Sequence, residues 1–268
     1  MNEAVCEKAR LARDARFDGR FFIGVTTTGI YCRPICPSPP ARREHVRYFP
    51  SAAAAAEAGF RPCLRCRPEA APGTPAWNGS ASSVSRALRL IGEGALDEGS
   101  VEDLAARLGI GARHLRRLFL RHLGASPVAV AQTRRVHFAR KLIDETGLPM
   151  TEIALAAGFA SIRRFNATFQ NLYGRSPREF RRASAAAPRD HTPGHYTLLL
   201  AYRPPYKRNR GAGYRRKISV EGRTGRIAVR PVRGRHCLQL TIEFPEPAAL
   251  FKIVTRARRL FDLDRGEF

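Results

Sequence analysis

No run of this sequence stays apolar for the ~20 residues that a membrane-spanning helix requires, so no membrane partner is expected. Acidic residues are scarce as well. Only 23 Asp and Glu stand against 47 Lys and Arg, giving a formal charge of +24 and a pI near 11.2. A surplus of that size points to a polyanionic partner, nucleic acid before any other, although much of it is arginine that genomic composition also favours. The first residues, Met1–Arg20, lack the continuous apolar core of a secretory signal. A reducing, cytoplasmic setting is therefore expected, and disulfides are disfavoured there. At 268 residues the chain has room for two or three small domains rather than one large core.

Four of the six cysteines lie between Arg20 and Pro68, Cys32 and Cys36 as a CxxxC, Cys63 and Cys66 as a CxxC. Two close pairs separated by a spacer can wrap one tetrahedral ion, and Zn²⁺ is the natural occupant of four thiolates. Two disulfides, or ordinary buried thiols, are the alternatives. Spacing does not say whether a zinc-bound sulfur is a strut or a nucleophile. Around the cysteines, Phe21–Val25 reads as a strand entering the TTG turn. Ser51–Ala58, SAAAAAEA, reads as a helix capped by Ser51 and stopped by Gly59, with no function implied. Cys6, outside any pair, is expected to be an unspecialised thiol.

The words FDGRFFIGVTTTGIYCRPIC and AGFRPCLRC closely resemble the N-terminal domain of the Ada family, over about Asp14–Pro68. The resemblance implies a zinc domain that repairs methylphosphotriesters in DNA. It makes Cys32 the methyl acceptor and Cys36, Cys63 and Cys66 the other metal ligands. The thioether formed is not expected to turn over, so the protein acts once, with no small-molecule substrate. Losing one negative charge at the cluster weakens its repulsion from the DNA backbone and makes the chemistry an electrostatic switch. The segment after Cys36, Pro37-Ser-Pro-Pro40, departs from the basic residues usual in the family. Arg33, Arg42, Arg43, Arg61 and Arg65 remain as candidate phosphate contacts.

Beyond the Pro/Gly/Ser-rich linker Ala70–Ser80, helical spacing recurs at Val84, Ala87, Leu88 and Ile91. An internal repeat of about fifty residues follows. Val101–Ile110 parallels Met150–Phe159, and each copy closes on a matching turn, Gly124-Ala-Ser-Pro127 and Gly174-Arg-Ser-Pro177. Each unit reads helix, glycine turn, helix, joined by a long helix Val128–Glu145 that buries Val136, Ala139, Leu142 and Ile143. MTEIALAAGFASIRRFNATFQNLYGRSPREFRR resembles the AraC-type double helix-turn-helix domain, the match covering Ser83–Arg182. Leu115, Leu118 and Phe119 are expected inside in the first unit, which exposes Arg113, His114, Arg116 and Arg117. In the second, Ile162, Phe165, Phe169 and Leu172 form the buried stripe, which turns Ser161, Arg163, Arg164 and Ala167 toward a major groove. Each arginine alone suits phosphate contact or solvation as well as base readout.

After a second linker, Ala183–Gly194, strands are expected at Tyr196–Ala201, Arg216–Val220, Arg226–Val232 and His236–Phe244, then a helix opened by Pro245 and Pro247. YTLLLAYRPPY, YRRKISVEGRTGRIAVRPV and RRLFDLD resemble the N-terminal domain of AlkA-type 3-methyladenine DNA glycosylases. A base-excising enzyme needs a pocket for the flipped base and a carboxylate beside it. With neither expected here, the segment reads as a remnant of a truncated fusion, without glycosylase activity. KRNRGAGYRRK replaces a helix of that family with a basic loop. No PCHR motif of the O6-alkylguanine transferases is present, and Cys237 is placed on the polar face of its strand.

The expected fold is thus multidomain: a small α/β zinc domain (1–70), an all-α double helix-turn-helix domain (81–183) and a partial α+β domain (195–268). The expected partners are double-stranded DNA, as damaged backbone and as promoter, and RNA polymerase, with the protein nucleoid-associated. The expected function is single-turnover methyl transfer to Cys32 coupled to transcriptional regulation. The alternative is an AraC-type transcription factor with a purely structural zinc, and a glycosylase subunit or remnant is the third reading.

Overall fold

The computed structural model describes residues 2–72, 82–97, 99–183, 192–204 and 213–263. Most of both linkers, the basic loop from Lys207 to Ala212 and the final Asp264 of RRLFDLD lie outside the described residues. Among the described residues no helix is long and apolar enough to cross a membrane. The chain divides into two compact units. One is built from residues up to Arg134 together with Arg203 and Pro204, the other from Arg135–Tyr202 and the later residues to Leu263.

The first unit opens with α1 (Glu3–Leu11), capped by the Asn2 side chain on the Ala4 amide. A four-stranded sheet of order β3-β1-β2-β4 follows, from β1 (Phe22–Val25), β2 (Ile30–Cys32), β3 (Val46–Phe49) and β4 (Arg61–Pro62). Gly24 lies where a Cβ would meet the Phe49 ring at 2.7 Å and the Phe60 ring at 2.9 Å, so only glycine lets these aromatics close on β1. Cys6 of α1 is buried with Phe21, Ile23 and Val46, a small apolar residue of the core, and burial raises its thiol pKa.

The alanine run forms α2 (Ala52–Glu57), and its length is set by punctuation at both ends. Ser51 caps it by accepting from the Ala54 amide at 3.0 Å, and Gly59 ends it at φ +85°. The run does more than form a helix. Ala53 joins the core of α3 (Ser82–Gly92), α4 (Val101–Leu108) and α5 (Ala112–Leu123). The buried Ser51 hydroxyl also donates to the Leu123 carbonyl at 2.6 Å, satisfying an acceptor that the end of α5 would otherwise leave bare. At the next residue, Gly124 (φ +66°), a Cβ would stand 3.1 Å from Ala54 and Pro50. Ser51→Ala removes a cap and a buried acceptor's partner together, and should lower the protection of the α2 amides against hydrogen exchange by about 1–2 kcal/mol. Unchanged protection would show that neither bond matters.

Helix α4 starts on a reciprocal cap between Ser100 and Asp103 and stops at Gly109, φ +71°. The repeated Gly-x-Ser-Pro turn has one physical role in both copies. Ser126 caps the Ala129 amide ahead of α6 (Pro127–Glu145), Ser176 caps the Glu179 amide ahead of α9 (Pro177–Ala183), and proline takes the first helical position each time. Leu118, expected inside, is only half-buried, and Leu123 completes the buried stripe of α5 instead.

In the second unit α7 (Met150–Ala156) leads into α8 (Ile162–Tyr173), and successive ring contacts run from Phe159, between the helices, along α8. Phe159–Phe165, Phe165–Phe169 and Phe169–Tyr173 have centroids 5.3, 5.8 and 4.6 Å apart. Ile162 departs from expectation. It is 39% exposed, because it opens α8 one turn before the packed stripe begins. The C-terminal strands β5 (His195–Ala201), β6 (Tyr214–Val220), β7 (Arg223–Pro231) and β8 (Cys237–Glu243) form an antiparallel sheet of order β5-β8-β7-β6. Its buried face shares one core with α6, α8 and α10 (Leu250–Leu260). Cys237 is a correction: it is 8% exposed rather than on a solvated face. Nearby, the Lys141 ammonium of α6 donates to the Leu199 carbonyl of β5.

Candidate metal centre

Two pairings bring the cysteines together. The turn at Gly29 (φ +64°) folds β2 antiparallel onto β1, setting Cys32 opposite Ile23. Strand β4 then joins β2 in parallel, Tyr31 opposite Pro62, and the Cys63 amide donates to the Tyr31 carbonyl at 2.9 Å. Cys63 thereby arrives beside Cys32, and each short turn delivers a second sulfur. The Cys36 amide donates to the Arg33 carbonyl at 3.1 Å, and the Arg67 amide to the Cys63 carbonyl at 3.1 Å across the turn holding Cys66.

The four Sγ atoms all lie within 4.8 Å of one another. Sulfurs about 2.3 Å from a common zinc centre stand roughly 3.8 Å apart, so the donor set fits Zn²⁺ in kind and spacing. None of the four is in a disulfide. Crowding divides the thiols: hydrogen bonds from the neighbouring sulfurs pull Cys36 down, and the same contacts with burial push Cys66 up. Cys63 and Cys66 are buried, whereas Cys32 and Cys36 are half-buried and, with Cys63, line a recess of about 320 Å³. The rest of its wall is largely Ile23, Val25, Thr27, Thr28, Ile30 and Pro34, closed by Ser38–Ala41.

Among the described residues the charged ones lining it are Arg10 and Arg33, and both side chains are engaged elsewhere. Arg10 makes a two-pronged pair with Glu7 (2.8 and 2.6 Å). Arg33, expected at the surface as a phosphate contact, is 8% exposed and faces inward. Its guanidinium pairs with the buried Asp18 carboxylate, Nε to Oδ1 at 2.8 Å, and donates from Nη1 to the Cys66 carbonyl at 3.0 Å. Its amide points at Cys66 Sγ, 3.3 Å away. Burial works against the Arg33 charge, but the Asp18 carboxylate more than offsets it and holds the pKa above its ordinary value. Arg33 is therefore a brace of the cysteine turn. Asp18, which the sequence reading passed over, is its anchor, and Arg203 donates from Nε to the Asp18 carbonyl at 2.7 Å.

The remaining candidate contacts stay outside. Arg42, Arg61 and Arg65 are exposed, while Arg43 is partly tied to Glu3 and Glu7. On α5, Arg113, His114, Arg116 and Arg117 are all exposed, although Arg116 pairs with Glu102 at 2.7 Å and Arg117 bonds His114 Nδ1 at 2.9 Å. On α8, Arg163, Arg164 and Ala167 are exposed, and Ser161 uses its hydroxyl to cap the helix at the Arg164 amide.

Comparison with known proteins agrees with this anatomy. The metal binding domain of Ada matches residues 5–69, a helix-turn-helix domain residues 104–183, and the AlkA N-terminal domain residues 207–266. The probable bifunctional transcriptional activator/DNA repair enzyme AlkA of Mycobacterium tuberculosis is 39% identical over 97% of this chain and 56% of its own length. The Escherichia coli activator/repair enzyme Ada is 35% identical over 64% of this chain and 47% of its length. The chain thus spans about half the length of these two relatives. Among solved structures, the methylated N-ADA/DNA complex aligns with 50% of this chain and 98% of that one, at 36% identity and a TM-score of 0.26. The Bacillus subtilis activator/repair enzyme AdaA is 32% identical over 66% of this chain, and the match takes in 82% of its length. With its four cysteines gathered as a zinc site ahead of a helix-turn-helix repeat, the chain belongs to the Ada family.

Proposed function

We propose that the chain takes a methyl group from DNA methylphosphotriesters onto Cys32, once per molecule, and couples this to sequence-specific DNA binding and regulation of the alkylation-damage response. The observation that carries the reading is the setting of Cys32. It ends a paired strand, belongs to the four-sulfur cluster, and faces an open recess whose two cations are already neutralised. A phosphotriester has no charge on its phosphorus group, so a recess without a free cation admits it. An ordinary phosphodiester would have to enter as an unpaired anion, which is costly. Relatives named as bifunctional activator and repair enzymes support the pairing of the two activities.

The step is a direct displacement. A lone pair of Cys32 Sγ forms the bond to the methyl carbon as the carbon–oxygen bond breaks, and that electron pair stays on the phosphate oxygen. The thiolate becomes a neutral thioether and the neutral triester becomes the normal diester anion, so charge balances. When bound, zinc supplies four deprotonated sulfurs at neutral pH. Strand β2 and the Arg33–Asp18 brace supply a fixed line of attack, the largest contribution the chain itself can make to a reaction without a general base. The exposed faces of α5 and α8 then grip the promoter, with Arg113, His114, Arg116, Arg117, Ser161, Arg163, Arg164 and Ala167 as contacts, while Arg61 and Arg65 steady the damaged strand.

Intact-mass measurement of the zinc-loaded chain after incubation with methylphosphotriester DNA tests the reading. One added methyl per chain, and no second one on longer incubation, is expected. A folded, zinc-loaded chain that gains no mass would leave a transcription factor with a structural zinc.

A further inference from the structure

The C-terminal sheet presents a surface that neither the methyl transfer nor the helical repeat uses. Residues 213–263 hold twelve Lys and Arg against four Asp and Glu, and strand register gathers part of that excess. Tyr196, Leu198 and Leu200 of β5, Leu238, Leu240 and Ile242 of β8, and Ile227 and Val229 of β7 are buried on one face. Successive strand residues alternate in direction, so Arg226 and Arg230 of β7 belong to the opposite face. The pairs Arg226↔Lys217 and Ala228↔Arg215 continue that face onto β6. All four cations are exposed. Toward β8 the same face shows Gln239, Thr241 and a single carboxylate, Glu243. The ion pairs Arg223–Glu246 and Lys252–Glu221 do not involve the four. Arg226 stands opposite Glu243 in register, and Arg230 donates from Nε to Gln239 Oε1 at 3.0 Å. Arg215 and Lys217 face no carboxylate in register, and the face as a whole keeps a positive excess.

Such a grouping is unfavourable by itself. Like charges directly opposite on neighbouring strands, as Lys217 and Arg226 are, destabilise a sheet by roughly 0.2–1 kcal/mol. Cations on an edge strand discourage strand-to-strand aggregation, which accounts for β6 but not for β7, whose two sides are both paired.

The geometry points to the outer face of β6 and β7 as a second DNA-binding surface, one that takes backbone phosphates of duplex DNA without reading bases. Arginine forks match phosphate oxygens two at a time. Same-face residues recur about every 6.8 Å along a strand, with strands about 4.8 Å apart, so the four side chains form a flat grid of positive charge. None of the exposed large apolar residues among the described ones lies on this sheet, so it lacks the aliphatic anchors that a lipid surface would absorb. Duplex DNA is the occupant because the helical repeat of the same chain, on the reading above, already holds one. A phosphate grip tethered to it works at high effective concentration. The inference stands whether or not Cys32 accepts a methyl.

The test uses the full chain carrying Lys217→Gln, Arg226→Gln and Arg230→Gln, titrated with a short duplex of arbitrary sequence over a range of NaCl. Each phosphate contact contributes about 0.9 to the slope of log affinity against log salt, so the slope should shrink by roughly 2–3, and affinity near 0.1 M salt should fall about ten-fold or more. The sheet should stay folded by circular dichroism, since the like-charge pair Lys217–Arg226 is lost together with the Arg226–Glu243 pairing. A charge-matched control, Lys8→Gln with Arg16→Gln and Arg256→Gln, should change the slope far less. An unchanged slope in the folded triple variant overturns the inference, as does an equal change in the control. Lost binding of poly-glutamate with DNA binding intact would assign the face to an acidic protein and overturn it as well.

Discussion

Cys32→Ala should take up no methyl from methylphosphotriester DNA, whereas in the parent chain fragmentation should place the single methyl on Cys32 and none on Cys36. The structure makes this a real choice, because both sulfurs are half-buried and both line the recess. What separates them is the backbone beneath. Cys32 is the last residue of β2, paired with Ile23 on one side and next to the Tyr31–Pro62 pairing on the other. Cys36 sits on a loop that continues into Pro37-Ser-Pro-Pro40, steadied by the long contacts from Arg13 Nη2 to the Pro37 and Ser38 carbonyls at 3.3 and 3.4 Å. Displacement at carbon needs the nucleophile aligned with the breaking bond, and misplacement by about 1 Å can cost on the order of a hundred-fold in rate. The sulfur on the strand is the better held. Three thiolates still bind zinc with one open position, so Cys32→Ala should remain folded and keep promoter binding. Zinc content and near-UV circular dichroism check that point. A methyl on Cys36, or uptake surviving in folded Cys32→Ala, would sink the assignment.

Much of this anatomy is legible in the sequence because it follows local rules. The CxxxC and CxxC spacings specify two tight turns, and the duplicated Gly-x-Ser-Pro words specify two matched helix starts. Period-3.6 spacing places Leu115, Phe119, Phe165 and Phe169 inside, and all four are fully buried. The misreadings share a different cause: each depends on a partner far away in sequence. Arg33 looks like a surface cation until Asp18, fifteen residues earlier, is folded against it. Ile162 fits the helical stripe, but at the very start of α8 it stays 39% exposed while Phe165, three residues on, is fully buried. Strict alternation along β8 assigns Cys237 to the outward face, yet it is 8% exposed, with α6 close by through the Lys141 bond to the Leu199 carbonyl of β5. The alanine run carries no pattern that announces Ser51 as the partner of Leu123, 72 residues on. Periodicity reports which face is apolar, not what arrives to cover a polar one.

Asp18 gives the sharpest measure of such a long-range pairing. Asp18→Asn should weaken the fold around the cysteines by about 3–5 kcal/mol, because it leaves the Arg33 cation buried without its counter-ion. The substitution is nearly isosteric and keeps the main-chain carbonyl that accepts from Arg203, so the loss reads the ion pair and not that second contact. Hydrogen exchange of the β1 and β2 amides is the suitable measurement, since a chain of two compact units has no single unfolding free energy. Adding Arg33→Met to Asp18→Asn should restore part of the protection, for removing both charges avoids the uncompensated one even though the bond to the Cys66 carbonyl is lost. A phosphate-gripping Arg33 would behave differently. Its replacement would leave amide protection almost unchanged and lower the salt slope of DNA binding by about 0.9. The inward-facing guanidinium requires the reverse: a large loss of protection in Asp18→Asn, a partial recovery in the double variant, and a salt slope that Arg33 does not move.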